Sequence, residues 1–196
     1  MSLWNHYSAH TDAAYERFAA GDPPGGPLPR CPEEPRDFWR AWITRASFPW
    51  ESEGWPYWSH HYHAASFWRY RHLPNLLAVH YSDLLADLEG QMRRVAGFVG
   101  IDVREEDWPA LVEAARFQSM REEAIREEAE HSPPDAPRIW KGGAASFFYK
   151  GTNGRWRDVL TREDLELYER AAAALDPELR AWLEGGSSVA GDPQRR

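Results

Sequence analysis

Only one stretch of this chain reads as a β-strand. Asn75 to His80 is a short aliphatic run behind Pro74, and the other periodic stretches are helical. One strand makes no sheet, because an isolated strand leaves its backbone N–H and C=O groups without ladder partners. Either the chain is essentially helical, or the strands that pair with 75–80 are not within these 196 residues. That length suits one domain with a core of its own and is short for two.

The helical reading runs from end to end. Met1 to Ala20 forms one helix with Leu3, Trp4, Tyr7, Ala14, Tyr15 and Phe18 to one side, and a proline- and glycine-rich loop follows over 21–35. Asp37 to Ser47 and Ser59 to Leu73 are helices around an aromatic loop. Asp83 to Val99 carries the widest apolar stripe, with Ser82 as its N-cap and Gly100 as its stop. Glu105 to Ala115 is helical, Phe117 to Glu130 is a charged, solvated helix, and 132–137 is a loop. Thr161-Arg-Glu-Asp164 resembles a capping box ahead of a helix, and Asp176-Pro177 starts a last short one. The expected organisation is a partial domain over 1–184 and a disordered tail over 185–196.

Composition removes several classes of function. A net charge of −8 gives no basic face for nucleic acid, so a bound anion must be held by a local cluster. The lone cysteine, Cys31, excludes an internal disulfide and thiolate zinc sites, which fits a cytoplasmic protein. No run approaches the ~20 apolar residues of a membrane span, and Met1 to Tyr7 does not read as a signal peptide. Of the 23 basic residues only Lys141 and Lys150 are lysines. The 11 tryptophans are several-fold more than a chain of this length usually carries.

Four segments have the composition of sites. In Phe147-Phe-Tyr-Lys150-Gly151-Thr-Asn-Gly154-Arg155-Trp-Arg157, glycines let backbone N–H groups approach an anion and the cations supply charge-assisted bonds. By composition alone a simple turn before a helix explains this segment as well. Tyr81 follows the strand and precedes a helix, where a ring can face a base or merely pack. The rings of Phe48, Trp50, Trp55, Tyr57 and Trp58 suit either a wall around an apolar acceptor or core packing. His60 and His63 share a helix face, while His61 points elsewhere. Ordinary surface or core histidines account for them better than metal ligation, and no metal is expected.

In order, these pieces resemble the C-terminal part of the sulfotransferase family. Tyr81-Ser-Asp-Leu-Leu-Ala-Asp is similar to its Tyr-Glu-Asp-Leu segment, Phe98-Val-Gly to its Phe-Leu-Gly, and Phe117-Gln-Ser-Met120 to its Ser-Phe-x-x-Met. Phe148-Tyr-Lys-Gly-x-x-Gly-Arg-Trp is similar to its Arg-Lys-Gly-x-x-Gly-Asp-Trp, and Trp39 to Trp68 looks like the bacterial branch. The resemblance implies an α/β, P-loop-NTPase-like sulfotransferase fold, truncated at the N-terminus and so mostly helical with few parallel strands. It implies transfer of a sulfuryl group from 3′-phosphoadenosine 5′-phosphosulfate (PAPS) to a hydroxyl or amine of a small-molecule acceptor, with no metal. By resemblance, Ser2, Lys150 and Gly151 hold the 3′-phosphate. Tyr81 contacts the adenine and Phe117 stacks on it. Phe48, Trp50 and Trp58 are the acceptor-binding candidates.

Some positions depart from the pattern. Tyr149 stands where the family has an arginine of the 3′-phosphate clamp, and Arg155 or Arg157 can substitute for it. The same alignment puts the family's first strands, its 5′-phosphosulfate loop and its usual catalytic base upstream of Met1. The expectation is therefore a sulfotransferase that is inactive as this chain alone. The alternative is a non-catalytic nucleotide- or ligand-binding module derived from the fold.

Overall fold

The computed structural model describes residues 1–21, 26–133 and 136–194. Among them are twelve α-helices: α1 (Ser2–Ser8), α2 (Asp12–Ala20), α3 (Pro35–Thr44), α4 (His60–Trp68), α5 (Tyr81–Ala86), α6 (Leu88–Val99), α7 (Trp108–Ala114), α8 (Phe117–His131), α9 (Gly143–Phe147), α10 (Arg162–Ala172), α11 (Pro177–Gly185) and α12 (Ser187–Ala190). They fall into two compact units, one of Met1–Ser59 with Arg116–Ala171, the other of His60–Ala115 with Ala172–Arg196.

Two expected helices are each broken by a capping residue. The stretch 1–20 divides into α1 and α2 because Thr11 takes an extended conformation and its hydroxyl accepts from the Ala14 N–H. The stretch 83–99 divides at Asp87, whose carboxylate accepts from the Gly90 N–H at 2.9 Å and starts α6. Ser82 is not the N-cap of that region. His80 is, through its Nδ1, which accepts from the Ser82 N–H at 3.1 Å.

The strand expected over 75–80 is absent. Among the described residues there is no strand, only an isolated antiparallel bridge between His10 and Trp140. The segment 76–80 has no ladder partner, and an extended run without one is not a strand. The tail expected to be disordered contains α12. Its first backbone N–H, at Ser187, donates to both Asp83 carboxylate oxygens at 3.1 Å, and Arg94 holds Asp192 at 3.3 Å. The expected loops over 21–35 and 132–137 and the tail include residues 22–25, 134–135 and 195–196, which lie outside the described residues.

The first unit is centred on Tyr7, fully buried, with the rings of Phe38 at 5.8 Å and Tyr57 at 5.6 Å. Its hydroxyl donates to the Pro29 carbonyl. The bridge is extended by Thr11 N–H to Ile139 O at 3.0 Å and Lys141 N–H to Ala9 O at 2.8 Å, which pins the segment before α9 to the α1–α2 corner. A second anchor is Asp164 at the start of α10, fully buried and bonded by Arg36 Nε at 2.6 Å and Arg40 Nε at 2.5 Å from α3. The second unit packs Trp68 of α4 against Trp182 of α11 at 5.5 Å. His80 Nε2 donates to Leu183 O at 3.2 Å, the tautomer that its Nδ1 acceptor role requires.

Candidate nucleotide and acceptor site

The lysine and glycines of 150–154 lie in the loop between α9 and a 3₁₀ turn over Arg155–Asp158. Gly151 has φ +61°, and a Cβ built there would lie 2.7 Å from Cδ2 of Phe117. Glycine is therefore required twice, for the left-handed backbone and for the close approach of the ring. Phe117, the first residue of α8, rests on this loop and meets Phe148 edge-on at 5.9 Å.

Around Tyr149 the loop gathers its cations. The Arg155 guanidinium lies 4.9 Å from the centre of the Tyr149 ring and the Lys150 ammonium 5.3 Å, and the ring is half exposed. Arg155 Nη2 donates to Ser2 Oγ at 3.2 Å, while its Nε is buried with no partner among the described residues. Arg157 lies over Trp156 at 4.7 Å, with its guanidinium against Gly154. Of the two arginines able to stand in for the one that Tyr149 replaces, Arg155 is the one in contact with Ser2.

In the first unit Phe117 thus packs on Gly151, next to Lys150, and Ser2 is tied to the same loop through Arg155. Tyr81, the other candidate for the base, is the first residue of α5 in the second unit and is 47% exposed.

The aromatic loop also belongs to the first unit. It is tied back on α3 by Gly54 N–H to Trp42 O at 2.7 Å, and it is closed by Trp55 N–H to Arg45 O at 3.0 Å. Within it, Ser59 bonds both Glu51 and buried Glu53. Phe48 and Trp58 line a cavity of about 660 Å³. Trp50 is not in its wall. It stacks on Phe48 at 5.0 Å with its planes 10° apart and is 62% exposed.

The cavity is also walled by Trp55 and Tyr57 of the same loop, and by residues that the sequence reading passed over: His6, His10 and Trp140. The i, i+4 spacing of His6 and His10 was the available signal for the first two. No group of three His, Cys, Asp or Glu is placed to hold a metal ion among the described residues, including His60, His61 and His63.

With the fold and these two features in place, comparison with known proteins defines the class. The chain belongs to the sulfotransferase family: the sulfotransferase domain matches residues 45–179. That span contains Tyr81, Phe117, Lys150, Gly151, Arg155 and the aromatic loop, but not Ser2.

Among relatives, it is 34% identical over 120 residues to a glycolipid sulfotransferase of Mycobacterium bovis (strain BCG / Pasteur 1173P2), covering 61% of this chain and 35% of the relative. It is 24% identical over 126 residues to a 3-alpha-hydroxysteroid sulfotransferase of Cavia porcellus, covering 62% of this chain and 42% of the relative. The chain thus spans about a third of the length of the mycobacterial relative. In fold it is similar to mouse sulfotransferase SULT7A1, solved in complex with PAP, with a TM-score of 0.61 and 18% identity over 93% of this chain and 57% of that one.

Proposed function

We propose that this chain supplies the 3′-phosphate half of a PAPS site and the acceptor cavity of a sulfotransferase. The proposed fold is the α/β, P-loop-NTPase-like one of its family, of which these residues are a mainly helical part. A cytoplasmic location is proposed with it, with which the lone Cys31 is compatible. The observation that carries the reading is the cluster of Ser2, Lys150, Gly151 and Arg155 on one short loop and the helix start beside it.

Its donor set fits a phosphate: a hydroxyl, an ammonium and a guanidinium whose buried Nε–H has no partner among the described residues. Arg155 takes the part of the arginine that Tyr149 replaces. Phe117 is the proposed contact for the adenine within the first unit. Bound PAPS would carry the sulfuryl group to be transferred. The residues of this chain would fix its 3′-phosphate and hold a hydroxyl- or amine-bearing small molecule between Phe48 and Trp58.

Calorimetric titration with adenosine 3′,5′-bisphosphate tests the site. The unaltered chain is expected to bind. Lys150→Ala and Arg155→Ala are each expected to weaken binding about ten-fold or more, the scale of one lost charge-assisted hydrogen bond. Arg157→Ala is expected to leave binding nearly unchanged. No binding by the unaltered chain, or equal effects of all three substitutions, would overturn the reading.

A further inference from the structure

The two cations beside Tyr149 are not matched by an acid. The chain has 31 acidic residues against 23 basic ones, yet among the described residues neither Lys150 nor Arg155 forms an ion pair with a carboxylate. Arg155 donates to Ser2 Oγ, an uncharged group, at 3.2 Å. What the two cations share is a ring. The Arg155 guanidinium lies over Tyr149 at 4.9 Å from its centre and the Lys150 ammonium at 5.3 Å. The backbone under that ring is fixed at the end of α9, where Phe148 N–H donates to Ala144 O and Tyr149 N–H to Phe147 O, each at 3.1 Å. All of these residues belong to the first unit.

A ring holds a cation differently from a carboxylate. The face of an aromatic ring attracts positive charge through its quadrupole and leaves that charge undiminished. A carboxylate would neutralise the cation and compete with any incoming anion. Two cations gathered at one place also repel each other, and the negative ring face offsets part of that repulsion. Lys150 is exposed, and a long exposed side chain loses much rotamer freedom when a ligand fixes it. Seating it beforehand lowers that cost and so raises affinity.

We propose that Tyr149 is the positioning residue of the phosphate site. Its ring seats Arg155 and Lys150 together with their charges free, so that selection of a nucleotide bearing a 3′-phosphate depends on an aromatic ring at position 149. Tyr149 thus replaces the family's arginine without becoming a phosphate ligand itself: it acts through the two cations. This rests on reading the loop as the 3′-phosphate site.

Calorimetric titration with adenosine 3′,5′-bisphosphate and with adenosine 5′-monophosphate, which differ only in the 3′-phosphate, tests the proposal. The unaltered chain is expected to prefer the bisphosphate by about ten-fold or more. Tyr149→Leu is expected to reduce that preference about five-fold, the scale of two cation–ring contacts at an exposed ring, and Tyr149→Phe to restore it to within about two-fold. In an Arg155→Ala chain, Tyr149→Leu is expected to cost only about two-fold, the share acting through Lys150. The preference is a ratio of two affinities of one chain, so a loss of folded protein cancels from it. Arg155 side-chain N–H resonances of the unaltered chain give a readout that needs no variant, and they are expected to shift more with the bisphosphate than with the monophosphate.

An unchanged preference in Tyr149→Leu, a Tyr149→Phe chain as impaired as Tyr149→Leu, the same five-fold cost in the Arg155→Ala chain, or equal shifts of the Arg155 signals would each overturn the positioning role while leaving the 3′-phosphate site standing. No preference for the bisphosphate in the unaltered chain would overturn both.

Discussion

At the scale of single residues, His10 contributes to how the first unit responds to acid. Its pKa lies near 4, against an ordinary value of about 6.5, because burial and then His6 disfavour the charged ring. The unfolded chain therefore binds more protons than the folded one between these two values. Stability contributed by neutral His10 is complete above pH 6.5 and falls as pH drops toward 4, with a slope of at most about 1.4 kcal/mol per pH unit. His6, also lowered by burial, acts in the same direction. Urea unfolding midpoints at several pH values across this window should fall less steeply in His10→Phe than in the unaltered chain. Parallel slopes would contradict the assignment. The histidines were legible in the sequence as residues, but their burial was not, because α1 and α2 turn His10 inward only through the corner at Thr11.

At the scale of elements, the contact of α3 with α10 is centred on one buried carboxylate, Asp164, with Glu163 as a second, exposed partner of Arg40. Burial acts to raise the Asp164 pKa, but the Arg36 hydrogen bond, the Thr161 N–H, Arg40 and the Thr161 hydroxyl outweigh it and hold it well below the usual range. Asp164→Ala removes the buried acceptor shared by the two arginines and the Thr161 N–H, leaving Arg36 the Thr161 hydroxyl and Arg40 the exposed Glu163. It is expected to cost on the order of 2 kcal/mol, the scale of a lost charged hydrogen bond, and to show as a lower thermal midpoint. An unchanged midpoint would show that the pair adds nothing. The capping role of Thr161-Arg-Glu-Asp164 could be read from four residues, because a helix start is a local event. Its pairing with Arg36 and Arg40 lies 128 and 124 residues away in sequence, and no local pattern reports it.

For the whole molecule, the second unit exposes much apolar surface. Leu85 is 54% exposed, Val99 54%, Ile101 60% and Phe98 40%. Exposed apolar side chains in this number favour association. Sedimentation velocity of the chain alone should show concentration-dependent self-association that Phe98→Glu with Ile101→Glu diminishes. A single monomer boundary at all concentrations would refute this.

The sequence alone determined the helical character of most of the chain, the aromatic loop, and the ordered motifs by which it resembles sulfotransferases. These are signals carried by neighbours in the chain, namely periodicity, caps, glycines and fixed spacings. Tertiary structure alone decided that Arg155 and not Arg157 reaches Ser2, and that Trp50 lies outside the cavity wall. It also decided that His10 and Trp140 meet there, 130 residues apart in number but joined by a bridge. Pairings of this kind depend on which distant backbone groups satisfy one another, a condition that is met only when the chain is folded.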